Sequence, residues 1–130
     1  MFDNYLYIEG STRNVENNGE CLGFKLETYI TYYRGIPLSM VHELKVSVDH
    51  VEIDPKLISF SPNGKEYFTL DEMETCATVR WEYGDVGTIM VKRPGGLSKG
   101  KHEVTFSLAI RVAYIPVPFG ATKTRLIEIQ

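Results

Sequence analysis

The sequence has little of what would place it at once in a familiar class of proteins. It has only two cysteines, Cys21 and Cys76, which are too few for a disulfide framework and lack the spacing of metal ligands. No apolar run approaches the ~20 residues that a membrane-spanning helix requires. The first residues also lack the basic and apolar regions of a signal peptide. These absences predict a cytoplasmic protein with no membrane segment.

Positive charge is also scarce. The chain has 14 Lys and Arg against 17 Asp and Glu, for a formal net charge of −3 and an isoelectric point near 5.6. Because the basic residues form no strong run, nucleic-acid binding is not expected. With 43% hydrophobic and 24% charged residues in 130, the composition is that of a globular protein. We expect one domain spanning residues 1–130.

Alternation of apolar and polar residues is the dominant pattern in the chain. It extends over residues 104–114, 22–32 and 44–48. A period of two predicts strands with one buried face. Further short strands are expected at 5–8, 57–61, 66–69, 79–83, 87–92 and 124–129. The pattern predicts an all-β fold: a single antiparallel β-sandwich of about eight or nine strands, immunoglobulin-like or jelly-roll-like, with a barrel as the alternative.

Local signals predict how some of these strands are joined. Pro62-Asn63-Gly64 is typical of a hairpin turn, because asparagine and glycine tolerate a positive φ. Thr69 and Glu72 have the spacing of a capping box, which predicts a single helical turn.

Residues 29–40 depart most from the pattern of an ordinary strand and loop. A strand end with three tyrosines continues into an apolar loop that contains a proline, where a solvated connection would be polar. This composition suits a protein contact or a ligand-pocket wall. A loop folded over the open end of the core would have the same composition. The predicted partner interface or active-site mouth consists of Tyr32, Tyr33, Arg34, Gly35, Ile36, Pro37, Leu38, Ser39 and Met40.

The sequence offers no convincing chemistry of its own. His50, Glu52 and Asp54 would share one strand face, a spacing that can hold a cation, but a solvated strand has the same pattern. Neither cysteine has a histidine nearby in sequence, and no serine lies in a nucleophile motif. We therefore assign no catalytic residue and no metal ligand to this chain.

Several strings, taken together and in order, carry a resemblance to a known family. They lie at residues 1–5, 13–17, 32–40, 63–65, 69–73, 80–84, 94–97 and 100–104. The most specific is Tyr-Tyr-Arg-Gly-Ile-Pro-Leu-Ser-Met at 32–40. Over nearly its whole length the chain resembles the small β subunit of bacterial C-glycoside deglycosidases.

The resemblance implies a subunit of a carbon–carbon lyase that has no catalytic residues and is inactive alone. In that family a larger barrel-type α subunit carries a divalent, manganese-like metal and the acid/base histidine. The β subunit, a β-sandwich, supports and shapes the active site and carries no cofactor. The substrates are 3-oxo-C-glucosides of flavonoids and related phenols, whose bond between the sugar and the aromatic aglycone is cleaved. A higher αβ oligomer is also implied.

Two other functions fit the residues without the resemblance. A free-standing carbohydrate-binding module would use Trp81 and the tyrosines as a stacking platform, although a single tryptophan in such a fold is expected in the core. A non-catalytic adaptor would use the apolar loop to bind another protein.

Overall fold

A computed structural model describes residues 6–30, 35–111 and 119–129, and these residues are mostly strands. The strands are β1 (Arg13–Asn17), β2 (Glu20–Thr28), β3 (Ile36–Pro37), β4 (Val41–Val48), β5 (Val51–Glu52), β6 (Ile58–Ser61), β7 (Phe68–Thr69), β8 (Arg80–Trp81), β9 (Gly87–Lys92), β10 (Gly100–Ile110) and β11 (Phe119–Ile129). One short helix, α1 (Leu70–Glu74), and two 3₁₀ turns (Leu38–Met40 and Pro55–Leu57) interrupt them. No helix among the described residues is long and apolar enough to cross a membrane.

The strands form three sheets. One has the order β1-β2-β9-β6-β7, the second has the order β11-β10-β4-β5, and β3 pairs with β8 in a third. The strand pairs in these sheets are antiparallel. The prediction of an all-β fold is confirmed. The described residues contain eleven strands rather than eight or nine, because four of them are only two residues long. The immunoglobulin-like or jelly-roll-like arrangement and the single domain over 1–130 stay predictions.

The two larger sheets contribute to one buried core. In the first sheet Phe24 lies opposite Val91, and both are fully buried. In the second sheet Val46 lies opposite Phe106, again with no exposure. The edge-to-face contact between the rings of Tyr7 and Phe106, 6.4 Å apart, adds the N-terminal segment to this core. Period-two alternation in the sequence therefore corresponds to burial of one face of each strand.

Most of the predicted strands have different bounds in the structure, and three of them differ in ways that matter for the site and the core. The strand predicted at 22–32 ends at Thr28, and the one predicted at 104–114 is Gly100–Ile110, with residues 112–114 outside the described part. The strand predicted at 5–8 is wrong over its described residues. Leu6 and Tyr7 are both buried although they are neighbours, and Tyr7 has a φ of 55°, which a pleated strand does not allow.

The local signals are confirmed. Ser61 Oγ accepts hydrogen bonds from the backbone N–H groups of Asn63 and Gly64, in the connection between β6 and β7. Thr69 Oγ1 accepts from the Glu72 N–H at 3.2 Å, while Glu72 Oε1 accepts from the Thr69 N–H at 2.8 Å. These two bonds are the predicted capping box at the start of α1.

Candidate functional site

The segment singled out by the sequence lies at one end of β2. After Thr28 the chain leaves the strand, with Tyr29 half-buried and Ile30 buried. Tyr32, Tyr33 and Arg34 lie outside the described residues, so the structure does not test their predicted role. The described chain resumes at Gly35.

Two of the apolar residues in this segment belong to the core. Ile36 is 6% exposed and Leu38 is not exposed at all. Their backbone is held by the pairing of β3 with β8 and by the Leu38 N–H, which donates to the Val79 carbonyl at 3.0 Å. In the isolated chain these two side chains therefore face the core, while the predicted interface over 32–40 stays a prediction. The alternative, a loop folded over the core, describes them correctly.

The remaining residues of the predicted interface that the structure describes are intermediate. Gly35, Pro37, Ser39 and Met40 are each half-buried, and Met40 packs against the core. The Ser39 N–H donates to the Cys76 carbonyl at 2.9 Å. These contacts hold the segment in one position and leave part of it accessible.

An ion pair covers Gly35 from the neighbouring strand. Arg80 Nε donates to Glu82 Oε1 at 2.6 Å, and Arg80 Nη2 donates to the Gly35 carbonyl at 3.0 Å. A Cβ at position 35 would lie 2.8 Å from the Glu82 carboxylate, so a larger residue there would displace the end of this flexible side chain. Both charged side chains remain about half exposed, at 52% and 54%.

Trp81 lies between these two charged residues in the sequence. It is fully buried, its Nε1–H donates to the Asp85 carbonyl at 3.0 Å, and its ring meets that of Phe60 edge-on at 4.9 Å. The expectation of a core tryptophan is confirmed. Because a buried ring cannot stack on a sugar, Trp81 does not supply the platform of a carbohydrate-binding module.

A hollow of about 360 Å³ lies at the same end of the molecule. It is lined by Tyr29, Ile30, Tyr83 and Gly84. Tyr83 is 50% exposed. We refer to Tyr29, Gly35, Arg80, Glu82 and Tyr83 together as the tyrosine surface.

Three of these residues, Arg80, Glu82 and Tyr83, were not assigned to the interface from the sequence. The signal was available, since the string at 80–84 is part of the resemblance.

Comparison with known proteins identifies the family. The model of the family described as "C-glycoside deglycosidase beta subunit" matches residues 2–114, which include the whole tyrosine surface. The chain belongs to the C-glycoside deglycosidase beta subunit family. The predicted resemblance is thereby confirmed.

Two relatives carry names that agree with this family. A "C-glycoside deglycosidase beta subunit" from Eubacterium cellulosolvens is 34% identical over 105 residues, which is 80% of this chain and 71% of the relative. A "3'-dehydrocarminate deglycosidase beta subunit" from Microbacterium is 36% identical over 89 residues, which is 68% of this chain and 65% of the relative.

The spacing of His50, Glu52 and Asp54 in the sequence could hold a cation, but the three side chains do not come together in the structure. His50 Nε2 lies 3.3 Å from Glu103, Glu52 lies 4.0 Å from Lys45 Nζ, and Asp54 Oδ1 accepts from the Lys56 N–H. The three side chains thus have three different partners. Within the described ranges, no group of three or more His, Cys, Asp or Glu side chains could hold a metal ion.

Ser98, His102 and Asp49 have the residue types of a catalytic triad, but not its hydrogen bonds. His102 Nδ1 lies 2.8 Å from Asp49 Oδ2, and Nε2 lies 2.8 Å from the Ser98 carbonyl, closer than the Ser98 hydroxyl at 3.3 Å. A carbonyl only accepts, so Nε2 carries a proton and has no lone pair to activate the serine. Hydrogen bonds to Asp49 and then to the Ser98 carbonyl raise the pKa of His102. This arrangement is a structural tie between two turns.

Proposed function

We propose that this chain is the small subunit of a heteromeric C-glycoside deglycosidase and is inactive alone. The supporting observation is the family match over residues 2–114, together with two relatives that are both named as beta subunits of deglycosidases. A beta subunit implies a partner subunit. The reaction we propose is that of a lyase, in which the bond between sugar carbon and aromatic aglycone in a 3-oxo-C-glycoside, such as that of a flavonoid, is cleaved.

The larger subunit would carry the chemistry. We assign to it a barrel fold, a divalent manganese-like metal and the acid/base residue, and no cofactor is proposed on this chain. The residues of this chain with the best spacing for metal ligands do not form a metal site, since each has a different partner: His50, Glu52 and Asp54.

We also propose that the complex acts in the cytoplasm. The free thiols of Cys21 and Cys76 suit that reducing compartment.

The tyrosine surface is the part of this chain that we propose faces the larger subunit near its active-site mouth. Tyr29 precedes the segment 32–40 in the chain, and Arg80 bonds to Gly35 within that segment. Half-exposed aromatic rings beside an arginine are typical of the energetic centre of protein interfaces. A rigid wall of this kind would exclude water and hold the larger subunit's loops in place.

We propose that Ile36 and Leu38 anchor the segment 32–40 and do not contact the larger subunit. Because both are buried in this chain, they hold the segment against the core rather than contact the partner. The partner contacts are then expected from Tyr32, Tyr33 and Arg34 and from the tyrosine surface.

Reconstitution tests the proposal. The tagged chain would be purified from its native cells, and the protein that remains bound in equimolar amount would be identified by mass spectrometry. Each protein and their mixture would then be assayed for release of the aglycone from a 3-oxo-C-glucoside. We expect release only from the mixture, or from the partner at a much lower rate. Full activity of the partner alone, or a chain that elutes without a partner, would contradict the proposed function.

A further inference from the structure

A groove of about 680 Å³ lies on the five-stranded sheet, and no residue of the tyrosine surface lines it. Its apolar lining includes Leu22, Leu57 and Met90. Leu22 and Leu57 are each 41% exposed and share this groove, so they do not belong to the scattered single apolar residues of an ordinary surface. A groove of this volume is within the range of sites that bind small molecules.

The register of the strands places part of the groove on the outward face of the sheet. Val91 is fully buried, so its neighbours Met90 and Lys92 point to the opposite face. Ser59 lies directly across from Met90, and Thr69 lies across from Ser59, so one row of side chains crosses β9, β6 and β7. All four outward residues line the groove, which is therefore built on the sheet itself.

A β-bulge explains why Leu22 is exposed at this groove. Val15 and Glu16 are neighbours in β1, but their partners in β2 are two positions apart, which leaves Leu22 as an extra residue. By strict alternation Leu22 would share the inward face of β2 with Phe24, which is fully buried. A bulge re-aims the side chain of the extra residue, and Leu22 accordingly lines the groove.

Three basic side chains also line the groove. Lys56, Lys92 and Arg93 are exposed, and none of the ion pairs among the described residues includes them. Glu20 is the only carboxylate among the described lining residues. The groove thus has an excess of positive charge, although the whole chain has a formal net charge of −3. An apolar floor with unpaired cations is complementary to an apolar anion.

We propose that this groove binds a small aromatic carboxylate. The aromatic ring lies on the apolar floor, where the Met90 thioether meets its edge in a contact that sulfur makes favourably. The carboxylate faces Arg93, whose guanidinium can pair with both of its oxygens, and Lys92 adds a second positive charge. We refer to the six residues that form this site as the basic groove: Leu22, Lys56, Leu57, Met90, Lys92 and Arg93.

Titration of the full chain with 2-naphthoate tests this proposal, because this probe joins two fused rings to one carboxylate. The neutral analogue 2-naphthalenemethanol has the same rings without the charge. Both are titrated by ligand-observed NMR at low and high salt. We expect 2-naphthoate to bind more tightly than the alcohol. Its dissociation constant should rise with salt, because exposed charges are screened.

Substitutions separate the contribution of the charges from that of the floor. Lys92→Gln with Arg93→Gln should raise the dissociation constant of 2-naphthoate about three- to tenfold and leave that of the alcohol unchanged. Lys65→Gln with Lys101→Gln neutralises two exposed lysines outside the groove and is the matched control, with no expected change. Leu57→Ser should weaken both probes by similar factors, because it removes part of the apolar floor. Circular dichroism checks that each variant is folded.

Three outcomes would overturn the inference. The first is a folded chain that does not bind 2-naphthoate, and the second is an equal dissociation constant for the groove variant and the control variant. The third is binding to the chain alone but not to its complex with the larger subunit recovered in the pull-down. In that case the larger subunit occupies the basic groove, and the proposed function survives while this inference fails.

Discussion

The carboxylate of Asp49 holds the imidazole of His102 although 53 positions separate the two residues in the sequence. One carboxylate oxygen lies 2.8 Å from His102 Nδ1, and the other accepts from the Glu103 N–H at 2.8 Å. Asp49 and His50 both have positive φ, at 49° and 69°, in the tight turn between β4 and β5. The contact thus ties a strained turn to the beginning of β10.

The first prediction concerns the pH dependence of stability. The hydrogen bond to Asp49 raises the pKa of His102 above its usual 6.5, so the stabilisation is complete below pH 6.5 and is lost as the pH rises through the folded-state value. The Glu103 N–H and His102 lower the pKa of Asp49 below 3.8, so its contribution is present above that pH and is lost in stronger acid. We expect His102→Gln to cost more free energy of unfolding at about pH 5.5 than at about pH 9.

Urea denaturation at the two pH values measures this difference. Asp49→Asn provides the control, because His102→Gln made in that background no longer removes an ionised pair and should lose its extra cost at the lower pH. An equal loss for His102→Gln at both pH values would contradict an ionised Asp49–His102 pair.

The second prediction concerns Trp81. Trp81→Phe removes the donor to the Asp85 carbonyl and leaves part of a fully buried site empty. We expect the free energy of unfolding to fall by about 1–3 kcal/mol, measured by urea denaturation with circular dichroism. Tyr67→Phe, at a ring that is 43% exposed, is the control and should change little. A loss below about 0.5 kcal/mol for Trp81→Phe, the range of ordinary surface substitutions, would contradict its place in the core.

The third prediction concerns Gly87, which lies against two aromatic rings. A Cβ at this position would lie 2.8 Å from the Phe60 ring and 2.9 Å from that of Trp81. Overpacking by Gly87→Ala should therefore cost about 1–3 kcal/mol in thermal or urea unfolding. Phe60→Leu should relieve the clash, so the double variant should lose less than the sum of the two single losses. Simple additivity would show that the rings do not restrict this position.

The fourth prediction tests the tyrosine surface. Tyr83→Ala should weaken binding of the larger subunit by about tenfold, because aromatic side chains at the centre of an interface contribute about 1–2 kcal/mol each. Titration of the labelled partner, for example by interferometry, measures the change. Tyr67→Ala removes a ring of similar exposure outside this surface and should leave the affinity unchanged. If the two variants bound the larger subunit with equal affinity, that subunit would have to contact a different part of the chain.

Several features were predictable because they depend on neighbours in the sequence. Alternating residues identified the long strands, since side chains on a strand point to opposite faces in turn. The capping box of Thr69 and Glu72 needs only one turn of backbone, and its three-residue spacing predicted α1 correctly. Trp81 was expected in the core on its size and apolar character alone.

The site was less predictable. The sequence analysis used the apolar side chains of Ile36 and Leu38 as evidence for a partner contact, but both fill the core. Composition cannot distinguish these cases, because a partner and a core bury the same kind of side chain. The difference is decided by the pairing of β3 with β8, which brings together residues more than forty positions apart.

By itself, the sequence determined the all-β class, the principal strands, the turn at 62–64 and the family. Each depends on local spacing or on strings of residues that can be compared directly. Only the tertiary structure decided which apolar residues face the core, that Arg80 reaches Gly35 across 45 positions, and that Asp49 holds His102. These contacts depend on how the strands order and align within each sheet. That register reflects packing over the whole core, which no short stretch of sequence specifies.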